Sequence, residues 1–173
     1  MRILLVNPGL EDDILQRAVR EIPYMESTAF FAPHALAVVA ALTPEEHEVV
    51  IHDEFVRGPV DEILRGGGGD VVGITMTTNK LGRTRASVDL FRAAGLRGKL
   101  VVGGIGAATM MRSLAGSVDA LFYGEAEETW PAFLEDVAAG RARSLYRQIG
   151  KPDMLRTPVP GWDLVARDIP GYT

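Results

Sequence analysis

Residues 101–110 read VVGGIGAATM. Val101 and Val102 have the character of a buried strand, and the chain leaves them through Gly103, Gly104 and Gly106. Glycine at a strand end signals a positive φ or a close approach of another group to the backbone. That group can be a helix, a turn or a ligand. The surrounding sequence decides what kind of sheet this strand belongs to.

Short apolar runs of the same kind recur along the chain. Arg2–Val6 (RILLV), Glu48–His52 (EVVIH), Asp70–Thr75 (DVVGIT), Lys99–Val102 (KLVV) and Ala120–Tyr123 (ALFY) all read as strands. Near-continuous apolar strands, buried on both faces, mark a parallel sheet. Helical patterns alternate with them. Pro33–Leu42 opens on proline and is apolar all round, so it is expected to be deeply buried. Pro59–Leu64 also opens on proline. Lys80–Ala94 spaces Leu81, Val88 and Phe91 at roughly helical intervals, and Ala107–Leu114 follows the glycines. Glu127–Ala139 carries Trp130, Phe133, Leu134 and Val137 on one stripe and stops at Gly140. The alternation predicts an α/β fold, doubly wound and Rossmann- or flavodoxin-like. A five-stranded parallel sheet in order 2-1-3-4-5, with helices on both faces, is expected. Gly66–Gly69 reads as a solvated connector.

The end of the chain changes character. Residues 1–150 are expected to form the α/β domain. Residues 151–173, KPDMLRTPVPGWDLVARDIPGYT, are Pro-rich and lack periodicity. They read as a strap or linker across the surface toward another domain, anchored by Trp162 and Leu164.

Composition narrows the function. A chain of 173 residues with 47% hydrophobic and 24% charged residues is an ordinary soluble domain. Its net charge of −5 and lack of a basic cluster argue against a nucleic-acid partner. Without cysteine it holds no disulfide, thiolate zinc site or iron–sulfur cluster. MRILLVNPG is too short an apolar run for a signal peptide. The longest apolar run, Ala35–Leu42, is far below the roughly 20 residues that span a bilayer. A cytoplasmic chain with no membrane partner is expected.

Ligands of open α/β sheets bind outside the carboxyl ends of the strands, where strand order reverses. The segments leaving those ends are Asn7-Pro8-Gly9-Leu10, Asp53-Glu54, Thr75-Met76-Thr77-Thr78-Asn79, Gly103-Gly104-Ile105-Gly106 and Gly124-Glu125. They are rich in small, hydroxyl and glycine residues and suit a large, mostly neutral ligand with amides and a phosphate. Gly104-Ile105-Gly106 follows the wrong strand for a dinucleotide fingerprint, and no phosphate-loop motif of the G-x-x-x-x-G-K-[ST] type occurs. Asp53 and Glu54 read as solvated loop acids, and Glu127 and Glu128 as acids that suit a helix start. His47 and His52 read as structural or surface residues.

Taken in order, RILLVNPG, FAPHALAVVAAL, HEVVIHDE, DVVGITMTT, KLVVGGIGA and DALFYGEAEETWPAFLEDVAAG resemble the N-terminal cobalamin-binding domain of cobalamin-dependent radical S-adenosylmethionine enzymes. TPVPGWDLV is similar to the strap that leads into the radical domain of that family. The resemblance implies cobalamin bound at Asn7, Pro8, Gly9, Thr75, Met76, Thr77, Thr78, Gly103, Gly104, Ile105, Gly106, Gly124 and Glu125. The nucleotide tail would pass between the third and fourth strands, with Thr75, Thr77 and Thr78 offering hydroxyls. Gly103 and Gly104 would make room for the benzimidazole. The other readings are tight strand-to-helix packing for the glycines and N-capping for the threonines.

Many cobalamin domains place D-x-H-x-x-G after the first strand, and here Gly9 falls where that histidine would stand. The resemblance therefore implies base-off cobalamin with no protein histidine on cobalt from this loop. His34 has a helix-start or packing role as the alternative to cobalt ligation. No other metal ligand is expected.

In the family, S-adenosylmethionine and a [4Fe-4S] cluster belong to the radical domain, in cis or in trans. Methyl transfer or related radical chemistry belongs to the full enzyme. This chain, without cysteine, is not expected to be catalytic alone. The alternative is a degenerate or regulatory doubly wound binding module that does not bind cobalamin. A phosphorylated receiver would need acids where Asn7 and Thr75 stand, and a flavodoxin-like flavin protein a hydroxyl-rich loop after the first strand.

Overall fold

The computed structural model of the protein describes residues 1–10, 31–60, 63, 68–166 and 168. The strands are β1 (Arg2–Asn7), β2 (Glu48–Asp53), β3 (Val71–Thr75), β4 (Lys99–Gly103), β5 (Ala120–Tyr123) and β6 (Leu145–Arg147). The helices are α1 (His34–Ala41), α2 (Glu54–Arg57), α3 (Leu81–Ala93), α4 (Ile105–Leu114), α5 (Thr129–Ala138) and α6 (Asp163–Ala166). Half of the expected helix at Pro59–Leu64 (residues 61, 62 and 64) lies outside the described residues, as do Gly66 and Gly67.

Among the described residues all strands are parallel, in the order β2-β1-β3-β4-β5-β6. The doubly wound α/β architecture is therefore present, with one strand more than the five expected. In β6 only Tyr146 points inward, while Leu145 and Arg147 are exposed. A three-residue edge strand with one buried side chain leaves no periodicity to read.

Alternate side chains of each strand feed two cores, as the pleat requires. Ile3, Leu5, Val71, Val101 and Phe122 face one side, under α1 and α5. Leu4, Val6, Val72, Ile74, Leu100 and Val102 face the other, under α3 and α4. The first core centres on Phe122. Its ring stacks on Tyr146 at 5.3 Å and meets Phe133 edge-on at 5.4 Å. Trp130 completes the group, and its indole N–H donates to Thr43 Oγ1 at 2.8 Å. Gly73 makes space for this indole: a Cβ there would lie 3.1 Å from Leu5 and 3.7 Å from Trp130. The Tyr146 hydroxyl donates to Asp136 Oδ2 at 2.9 Å and so ties β6 to α5. Tyr146, then Arg141 and Arg143, hold the Asp136 carboxyl below its ordinary pKa despite an opposing desolvation effect.

α1 departs from expectation. Leu36, Ala37 and Ala40 are buried, but His34 and Ala35 are exposed. The strap lies against this helix: Gly161 N–H donates to the Ala37 carbonyl at 2.9 Å. The strap is anchored chiefly by Val165, 2% exposed in the first core, with Leu164 packed beside it. Trp162 remains 40% exposed. No helix among the described residues is long and apolar enough to cross a membrane.

Replacing Phe122 by Ala removes the ring that three other aromatics share. The expected cost is about 4 kcal/mol, measured as a lower urea midpoint with Trp130 fluorescence as the probe.

Candidate functional site

Strand order reverses between β1 and β3, so the crevice to examine opens at their carboxyl ends. Asn7, Pro8 and Gly9 leave β1 buried. Below them stands Glu54, the first residue of α2. Its carboxylate accepts from the Gly9 N–H at 2.8 Å and the Val60 N–H at 3.0 Å. Arg83 of α3 adds a two-pronged ion pair, with Nε at 2.7 Å from Oε2 and Nη2 on Oε1. Burial pushes the Glu54 pKa up. Arg83 and the two backbone N–H groups together outweigh it and hold the pKa below its ordinary value.

The expectation of solvated acids at 53–54 is thus overturned. Asp53 is 1% and Glu54 8% exposed. Asp53 caps α2 by accepting from the Phe55 N–H at 3.0 Å. A four-residue helix buried by its first residue has no apolar stripe to announce it.

Lys80 reaches across the crevice from the segment after β3. Its Nζ donates to Asn7 Oδ1 at 2.7 Å and lies 4.7 Å from the Phe55 ring centroid. Burial lowers the Lys80 pKa, and Asp53 and Glu54 oppose the shift. With its oxygen fixed by Lys80, the Asn7 amide has no partner for its N–H groups among the described residues. It is an oriented donor at the end of β1.

The exits of β3 and β4 are pinned together. Met76 N–H donates to the Gly103 carbonyl at 2.8 Å, and Gly106 N–H to the Met76 carbonyl at 2.9 Å. Gly104 has φ +97°, and a Cβ there would lie 2.7 Å from the Met76 carbonyl oxygen. At Gly106 a Cβ would meet the Thr77 carbonyl carbon at 2.6 Å. Backbone therefore fills the space beside both glycines. Gly103 differs. A Cβ there would meet only Phe122, at 3.3 Å.

Of the threonines, Thr77 does not cap a helix through its side chain; its hydroxyl donates to Asn79 Oδ1 at 2.6 Å. The hydroxyls of Thr75 and Thr78 have no partner among the described residues. Thr77 and Thr78 are exposed, Thr75 half-buried and Met76 buried. Ile105, at the start of α4, is 81% exposed.

The far rim is formed by Gly124 and Glu125, both exposed. Gly124, at φ +87°, packs on Gln148. The sequence drew no attention to Gln148, which follows the short β6. Its Nε2 donates to Glu128 at 3.0 Å, yet its buried Oε1 accepts no hydrogen bond. Glu127 takes the Thr157 hydroxyl at 3.5 Å, where the strap passes. His34 stands exposed with its ring 5.5 Å from that of Trp162. His52 is buried and bonds the Gly58 carbonyl through Nε2 at 2.9 Å, while His47 lies 3.4 Å from the chain's amino terminus. Among the described residues no three acidic or histidine side chains are grouped to hold a metal ion.

No family model matches the sequence. Over 113 residues, 65% of this chain, it is 36% identical to bacteriochlorophyllide d C-8(2)-methyltransferase of Chlorobaculum tepidum, covering 24% of that protein. Over 138 residues, 79% of this chain, it is 29% identical to an uncharacterized methyltransferase of Synechocystis, covering 25% of it. Both relatives are methyltransferases. The chain spans about a quarter of the length of the curated relatives it matches.

Glu54→Gln removes the buried negative charge that pairs with Arg83, and the expected loss is about 3 kcal/mol. The sign of the pH effect follows from the lowered pKa. Wild-type Glu54 contributes fully above its ordinary value near 4.5 and loses that contribution as pH falls through the folded-state value. Urea unfolding from pH 7 downward should therefore show the gap between wild type and variant narrowing in acid.

Proposed function

We propose that this chain is the cobalamin-binding domain of a radical S-adenosylmethionine methyltransferase. The observation that carries the reading is the set of uncommitted polar groups around the crevice: the Asn7 amide and the Thr75 and Thr78 hydroxyls. These suit a ligand whose periphery is carboxamides and a phosphate. The similarity to methyltransferases over a quarter of their length supports a domain that serves methyl transfer.

The fit to cobalamin is uneven. The open hydroxyls and the Asn7 donor match an amide-rich ligand. The proposed room for the benzimidazole at Gly104 does not match, because the Met76 backbone occupies it. Gly103, bounded by Phe122, is the position left for the tail. Cobalamin, when bound, supplies a cobalt–carbon bond from which a methyl group is transferred. The chain's part is to orient it: Asn7, fixed by Lys80, donates at the end of β1, and Thr75 and Thr78 donate at the end of β3. Asn7, Pro8 and Gly9 offer cobalt no imidazole, so base-off binding without a histidine from this loop belongs to the proposal. S-adenosylmethionine, the cluster and the radical step belong to a separate domain.

The packing at Gly104 and Gly106 favours a second reading, a module of the same fold that has closed its tail slot and binds no cobalamin.

Titration of the purified chain with hydroxocobalamin, desalting and reduction to cob(II)alamin distinguishes the two. The proposal expects co-elution with a base-off spectrum. Gly103→Ala, whose Cβ would meet Phe122 at 3.3 Å, should then weaken retention, with the urea midpoint measured alongside to separate lost binding from a weakened fold. Gly104→Leu is uninformative about the ligand, since it disrupts the β3–β4 exits themselves. No retention, by this chain or by any longer gene product containing it, overturns the proposal in favour of the second reading.

A further inference from the structure

A second cavity, of about 630 Å³, opens at the opposite end of the sheet, where β1, β3 and β4 begin. Arg2, Arg97 and Lys99 line it, and among the described residues Asp70 is the one carboxylate of the lining. We infer that this cleft is a binding site for a small phosphate-bearing ligand.

The argument rests on how these charges are engaged. Asp70 is partly committed: its Oδ2 accepts from the Arg2 backbone N–H at 2.7 Å. The cations are held loosely. Arg2 is 4.0 Å from the exposed Glu48, and Lys99 is 3.9 Å from the half-buried Asp119. Pairs at that distance with a largely solvated cation hold little energy and exchange readily for a better anion. Arg97 has no carboxylate partner among the described residues. Three cations and Asp70 thus line the cleft, with Glu48 and Asp119 beside it as loose partners of two of them and Arg97 left over, in a chain whose net charge is −5.

The floor is backbone. A Cβ at Gly98 would lie 2.2 Å from the Gly69 carbonyl oxygen, and one at Gly69 would lie 2.8 Å from the Arg2 carbonyl oxygen. The glycines are forced by the close approach of strand entries, and they leave the cations standing over a surface that is mostly backbone, with Val137 as its apolar side chain. Two guanidinium groups and an ammonium around such a surface suit phosphate oxygens, which accept short charge-assisted bonds. The volume leaves room for an organic group beyond the phosphate. At the carboxyl end, by contrast, Lys80 and Arg83 are taken up by Asn7 and Glu54.

The test is a titration of the ¹⁵N-labelled full chain with inorganic pyrophosphate, followed by amide shifts. Saturable shifts are expected at Arg2, Gly69–Asp70 and Gly95–Lys99, with the carboxyl-end segments unmoved. Arg97 is exposed in the turn between α3 and β4, so Arg97→Ala should leave the spectrum dispersed while weakening binding about tenfold or more. Arg97→Glu should remove it. An organic phosphate such as ADP binding at least as tightly, through the same amides, supports an ester or diphosphate ligand. Shifts that fail to saturate, that centre on the carboxyl end, or that persist undiminished in Arg97→Glu overturn the inference. None of these outcomes depends on cobalamin binding.

Discussion

The carboxylate of Glu54 ties together three pieces of chain at the carboxyl end of the sheet. It takes the N–H of Gly9 after β1, the N–H of Val60 after α2 and the guanidinium of Arg83 on α3. Each bond satisfies a donor beside a buried charge, which is what makes the burial tolerable. The arrangement fixes how β1 ends. It also brings α3 close enough for Lys80 to reach Asn7 across the point where strand order reverses. The crevice that a ligand would enter is thus shaped from beneath, by groups that face away from it.

The glycines after β4 show how one residue type answers to two demands. Gly104 and Gly106 are required by the fold, because the Thr75–Thr78 segment lies against them and Gly104 turns through positive φ. Gly103 is constrained less: a Cβ there would press on Phe122 at 3.3 Å but would meet no backbone. Its half-buried position beside Phe122 is what remains for a ligand. A run of three glycines in sequence does not reveal this division, since it depends on how closely a segment some thirty residues earlier is drawn in.

Much of the architecture was legible because parallel strands buried on both faces write themselves as apolar β-branched runs. β1 to β5 each do so, and their alternation with helical stripes leads to the doubly wound sheet. What escaped was short or locally polar. β6 has a single inward side chain, Tyr146. α2 has four residues and hides a glutamate. Val165 anchors the strap, whereas the larger Trp162 drew the eye. The candidate site was legible as a set of strand exits, but not in its chemistry. Glu54 and Gln148 matter through partners far away in sequence, and no local pattern encodes a partner.

The two borders of the sheet are handled differently. β2, on one side, has α6 packed against it. β6, on the other, is three residues long and carries Arg147, with Arg143 just before it; both guanidinium groups lie over tyrosine rings. A long, flat, uncharged border would offer its free N–H and C=O groups as a template for another chain. Here the template is too short and too charged to extend. The last strand thereby serves a purpose apart from any ligand: it blunts one border of a strongly apolar parallel sheet.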